Sequence, residues 1–132
     1  MIYDECKKNG NKCSLNHIDV SGLSDMTSLF KNSRFNGDIS QWDVNNVTNM
    51  RNMFRDSIWN GDISNWDVSS VKDMQKMFNY SQFNGDISNW DVSNVRDMSS
   101  MFDMATEFNQ PLNNWKLSDD VVTVDMFHSA YK

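Results

Sequence analysis

The sequence predicts an α/β repeat solenoid, with one short strand and one short helix per 24-residue unit and about five units between atypical ends. Three observations carry this expectation. The phrases "FNGDISQWDVNNVTNMRNMF" from Phe35, "WNGDISNWDVSSVKDMQKMF" from Trp59 and "FNGDISNWDVSNVRDMSSMF" from Phe83 are nearly the same, and diverged versions start at Asn11 and Phe108. Trp42, Trp66, Trp90 and Trp115 keep the same spacing, as do Phe30, Phe54, Phe78, Phe102 and Phe127. Within a unit, the alternation at Trp90-Asp91-Val92 gives way to helical spacing at Val95, Met98, Met101 and Phe102. A fixed period of this size marks a solenoid, and 24 residues are too few for two helices.

Each element has its own signal. Residues 1–10 read as an N-terminal cap, residues 11–127 as five repeats and residues 128–132 as a tail, all in one domain spanning 1–132. "MIYDECKK" suits one or two helical turns ending at Asn9-Gly10. A hairpin about Asn9-Gly10 is the alternative, and it would set Cys6 opposite Cys13. In the repeat, Ile87, Trp90 and Val92 give the L-x-x-L-x-L spacing of a leucine-rich-repeat-like strand. Asn94 is placed as a helix N-cap with Asp97 in the first turn, as are Ser70 with Asp73 and Asn46 with Asn49. Asn84-Gly85 supplies a turn back into the next strand. One unit directs about eight apolar side chains inward, too few to offset the ordering of its backbone, so units must stack. The end units differ accordingly. Leu15, Ile18 and Leu23 replace Ile, Trp and Val at the start, and Cys13 replaces the turn glycine. At the other end Gln110-Pro111 replaces Gly-Asp, and Val121 and Val124 are expected to take over by a register slip around Asp120.

Composition narrows the function. The net charge is −6 and the pI about 4.6, which argues against nucleic acid as a partner. It suits a protein partner, including one with a basic surface. No run approaches the roughly 18 apolar residues of a membrane span. "MIYDECKKNG" has no apolar stretch of signal-peptide length, so the chain as given is expected in the cytoplasm unless it is a fragment. Two cysteines do not make a disulfide framework, and Cys13 at a turn reads as a reduced, partly buried thiol, with pairing to Cys6 as the alternative. No Ser-His-Asp set or His-Cys metal spacing is present. An enzyme, a cofactor and a metal site are therefore not expected. The Met and Trp stripes follow burial registers and read as core.

The repeated phrase resembles the BspA-like leucine-rich repeats of bacterial surface proteins over residues 11–127, and "LNHIDVSGLSDMTSLF" is similar to the way such arrays open. The resemblance implies a right-handed solenoid used for attachment to host or neighbouring proteins, usually secreted or lipid-anchored, with no catalytic residues. The chain as given shows no signal peptide, lipobox or wall anchor.

Candidate binding residues fall in two sets. Stacking makes a column of Asp19, Asp43, Asp67 and Asp91 on the outer strand face, ending in Lys116, with Asp38, Asp62 and Asp86 as a second acidic column. Oxygen ladders of this kind can hold calcium, but Asp beside Ser and Asn in turns usually accepts backbone N–H bonds. The inserts between repeats supply Ile58, Tyr80 and Met104, apolar residues without a place in the phrase, expected as a strip along one edge. Arg51, Arg55, Lys72, Lys76 and Arg96 form a modest basic stripe that reads as a solvated face. The leading function is a non-enzymatic protein-binding module. The alternatives are a small intracellular inhibitor that blocks a basic surface, such as a phage-encoded antagonist of host defence, and a calcium-stabilised array.

Overall fold

The structure is a computed structural model that describes Lys8 and residues 10–130. Cys6 and most of the expected N-terminal cap lie outside the described residues, as do 131 and 132. The chain winds through stacked coils of the predicted period, but among the described residues no coil holds a helix or an extended strand. Neighbouring coils meet through single parallel bridges: Ser14 with Asp38, then Asp25 with Asn49, Asn49 with Asp73, Asp73 with Asp97, and Asp97 with Val122. The expected leucine-rich-repeat-like α/β solenoid, with a strand and a helix in each unit, is therefore wrong.

Backbone conformation explains why no helix forms. Ser28, Asn52, Lys76, Ser100 and Asp125 all have positive φ, and so do Asn32, Asp56, Tyr80, Met104 and Ser129. Two left-handed residues four apart interrupt each stretch that the sequence marked as helical, and a right-handed helix cannot pass through them. Alternate N–H groups then point in different directions. Met74, Lys76, Phe78 and Tyr80 donate to the carbonyls of Asp97, Ser99, Met101 and Asp103 in the next coil, at 2.9–3.0 Å. Met77, Asn79 and Ser81 instead close tight turns on Met74, Lys76 and Phe78 within their own coil, at 3.0–3.2 Å. A short isolated helix is marginal, whereas this arrangement satisfies the backbone through the stack. The expected strand fails for a related reason. Trp66 and Val68 point inward and Asp67 outward, as predicted, but turns closed by Trp66 on Ile63 and by Val71 on Val68 flank them.

Side chains close the corners. Asp62 Oδ1 accepts the Ser64 N–H at 2.9 Å and hydroxyl at 2.7 Å. Asp73 Oδ1 accepts the Gln75 N–H at 2.8 Å. Buried Ser57 and Ser81 accept the N–H groups of Trp59 and Phe83 at 3.0 and 3.1 Å. Such local bonds offer the backbone an alternative to helix or ladder, which is why Asp, Asn and Ser fill the phrase.

The core is a set of continuous columns. Phe30, Phe54, Phe78, Phe102 and Phe127 stack with ring centroids 5.4–5.6 Å apart. A second column of Trp59, Phe83 and Phe108 runs against it, with Phe54–Trp59 at 4.6 Å and Phe78–Phe83 at 4.4 Å. Indole N–H groups of Trp42, Trp66, Trp90 and Trp115 donate to the carbonyls of Leu15, Ile39, Ile63 and Ile87 in the preceding coil, at 2.8–3.2 Å. Each tryptophan thus fills the core and also ties two coils together.

The ends only partly follow expectation. Val121 packs against the core and closes a turn on Ser118, as the register slip requires, but Val124 is 64% exposed and does not take over a core place. Residues beyond 127 are not merely a tail, since the His128 carbonyl accepts the Met104 N–H at 2.9 Å. His128 Nδ1 lies 2.9 Å from Asp103 Oδ1, and that contact raises the histidine pKa. Cys13 is buried and disulfide-bonded, which corrects the reading of it as a reduced thiol.

Candidate functional site

Asp19, Asp43, Asp67 and Asp91 form the expected exposed column. Each carboxylate Oδ1 accepts the N–H of the residue two further on, at 3.0–3.1 Å. At Asp19, Asp67 and Asp91 it also accepts that residue's serine hydroxyl, at 2.6 Å. These bonds, the hydroxyl first, hold the Asp67 carboxyl below the usual carboxylate range, while Asp91 opposes the shift from the next coil. Such a lowered value means a stabilising contribution that is present above the unfolded pKa and lost as pH falls through the folded one. The column is therefore turn chemistry before anything else. Replacing Asp67 with Ala is expected to lower stability by about 1 kcal/mol, and with Asn by less, because an amide oxygen still accepts both donors. Denaturant unfolding of the two variants checks the order. Among the described residues no group of three or more His, Cys, Asp or Glu is placed to hold a metal.

The insert residues separate. Tyr80 and Met104 stand in equivalent places of successive coils and line one cleft of about 690 Å³ with Asn60, Ser81, Gln82, Asn84, Thr106 and Glu107. Ile58 is half-buried and does not line it. Its equivalents one and two coils on are Gln82 and Thr106, which do; the place equivalent to Tyr80 in its own coil is Asp56. The expected three-residue strip is thus a two-residue pair with a polar rim.

Tyr80 and Met104 also share a backbone feature. Both have left-handed φ, 57° and 58°, in a column otherwise occupied by Asn32, Asp56 and Ser129. Asn and Asp tolerate this conformation, whereas a large side chain without a local polar bond does not favour it. Nevertheless Tyr80 is 53% exposed, so core packing does not require a tyrosine there. Two bulky residues on unfavourable backbone, side by side at one cleft, mark it off from the rest of the repeated surface.

The basic stripe is partly neutralised: Arg55 Nε lies 3.6 Å from Asp56 and Arg96 is 3.6 Å from Asp120. At one end of the stack Leu117, Val122, Val124 and Phe127 are exposed. Among the described residues no helix is long and apolar enough to cross a membrane.

A family model described as a Mycoplasma protein of unknown function, DUF285, matches residues 2–82 and again 57–132, so the chain belongs to that family. No curated protein and no solved structure matches the chain.

Proposed function

We propose that this DUF285 chain is a non-enzymatic recognition module that binds another protein through the Tyr80–Met104 edge, in the manner of BspA-like surface repeats. The observation behind this reading is the pair of bulky left-handed residues at one cleft, where the other coils carry Asn, Asp and Ser. Exposed tyrosine beside methionine is the kind of surface that interface hot spots use. The disulfide at Cys13 favours a surface or secreted setting over a cytosolic inhibitor, because disulfides persist in oxidising compartments. The calcium-stabilised array gains no support from the acidic columns, whose carboxylates already hold turn donors.

One substitution tests the reading from two sides. Tyr80→Asn places a residue that tolerates left-handed φ, as Asn32 does in the first coil. It is expected to hold or raise stability by up to about 1 kcal/mol and to weaken partner binding at least about tenfold. The measurement is quantitative capture from secreted and detergent-solubilised surface proteins, with parent and variant side by side. Equal retention of the same partner by both would remove Tyr80 from the interface and the reading with it.

A further inference from the structure

The cleft beside Tyr80 has a polar floor that the recognition of a protein does not by itself explain. Asn60 Oδ1 accepts the Asn84 N–H at 2.8 Å, and Asn84 Oδ1 accepts the Asn109 N–H at 2.8 Å. These bonds fix both carboxamides with oxygen toward the stack, so Nδ2 is the part left for the cleft. Neither Nδ2 has a partner among the described residues. Gln82, Thr106 and Glu107 line the same cleft, and so do Tyr80 and Met104. Among the described residues no Lys, Arg or His lines the cleft.

We propose that this cleft binds a neutral glycan, with Asn60 and Asn84 donating to ring hydroxyls and the Tyr80 ring lying against a sugar face. Each sugar hydroxyl both donates and accepts, which suits a lining of amides, a hydroxyl and a carboxylate. The C–H face of a pyranose is electropositive, and the face of an aromatic ring is negative. Spacing discriminates further. Chains paired by a parallel bridge lie about 4.8 Å apart, close to the separation of alternate equatorial hydroxyls on one ring. Same-side carbonyls of an extended peptide recur only every two residues, at about 6.6–6.8 Å. The absence of cationic groups among the lining residues, with a net charge of −6, disfavours acidic sugars and phosphates. The ladder continues to Asn36, whose Oδ1 accepts the Asn60 N–H at 3.4 Å. There, however, the place of Tyr80 is taken by Asn32 and Asp56, and no aromatic platform stands beside it. This inference goes beyond protein recognition and shares only its cleft, as a glycoprotein partner would offer both surfaces.

The test is titration of the full chain with cellobiose, lactose and maltose, and separately with an uncharged extended peptide, read by NMR at the Tyr80 ring and the Met104 methyl. At least one disaccharide is expected to give saturable shifts at both. Gln82→Ala and Glu107→Gln, on exposed side chains, are expected to weaken it about tenfold with Tm unchanged. Three results overturn the proposal: no saturable shift with any of the sugars up to their solubility, equal affinity in both variants, or saturation by the peptide alone. Deglycosylating a captured partner separates this inference from the protein reading. Capture that survives the treatment, with the sugars silent, leaves protein recognition standing without the glycan. Sugar binding with no protein captured does the reverse.

Discussion

Trp66→Ala is expected to lower stability by about 3–5 kcal/mol, a fall of roughly 10–20 °C in Tm. Trp66 is 4% exposed in the middle coil, with Trp42 stacked on one side at 6.5 Å. Truncation removes that packing and leaves a cavity that the neighbouring coils cannot close without shifting. It also removes the donor to the Ile39 carbonyl, which spans two coils. Trp66→Phe separates the two effects: it keeps most of the ring and loses the hydrogen bond, at about 1 kcal/mol plus a smaller packing loss. Trp115→Ala, in the last described coil and only half-buried, is expected to cost less than Trp66→Ala. Asn65→Ala, exposed beside Trp66, is expected to stay within about 0.5 kcal/mol. Equal losses at Trp66 and Asn65 in denaturant unfolding would contradict the inward placement of Trp66.

The periodicity that places Trp66 was legible in the sequence, and so was the inward set: Ile63, Val68, Val71, Met74, Met77 and Phe78 are all buried as the phrase requires. The conformation between them was not. Apolar residues at i, i+3 and i+4 share a face on a helix, but consecutive tight turns bring the same positions together. Met74, Met77 and Phe78 satisfy both descriptions. The left-handed residues that decide the matter, such as Lys76 and Ser100, carry no glycine to announce them. A fainter signal was present in Asn32, Asn52, Asp56 and Asp125, types that tolerate that conformation and recur at the same two places in the unit. At the candidate site, the inserts point to Ile58, Tyr80 and Met104 as one strip, and of these Tyr80 and Met104 line one cleft. Ile58 was grouped with them by spacings of 22 and 24, yet only a step of one whole unit keeps a residue in its column. The asparagine floor was invisible for another reason. Asn36, Asn60 and Asn84 belong to the repeated phrase, and stacking alone accounts for a residue that recurs in every unit.

The turn glycines offer the sharpest test of how closely the coils approach. Glycine in Asn-Gly pairs usually signals positive φ, but Gly37, Gly61 and Gly85 do not have it. Their constraint is space. A Cβ on Gly61 would stand 2.5 Å from Cζ2 and 2.8 Å from Cε2 of Trp59, the ring that enters the aromatic column two residues earlier. At Gly37 the obstacle is harder, because the added atom would fall inside the contact radius of the Cys13 carbonyl oxygen, fixed backbone of the preceding coil. That carbonyl already accepts the Asp38 N–H at 3.3 Å, so the two coils cannot part there without losing the bond. Gly37→Ala is therefore expected to cost about 3 kcal/mol, at the upper end of overpacking losses. Gly22 provides the control within the same protein: a Cβ there meets nothing within 4 Å, and its φ is not left-handed. Gly22→Ala is expected to be neutral or to add up to about 1 kcal/mol by restricting the unfolded chain. Thermal and denaturant unfolding of the two variants gives the comparison directly. If Gly37→Ala unfolds with Gly22→Ala, the coils do not meet at the separation that the Cys13 carbonyl and the Asp38 N–H define.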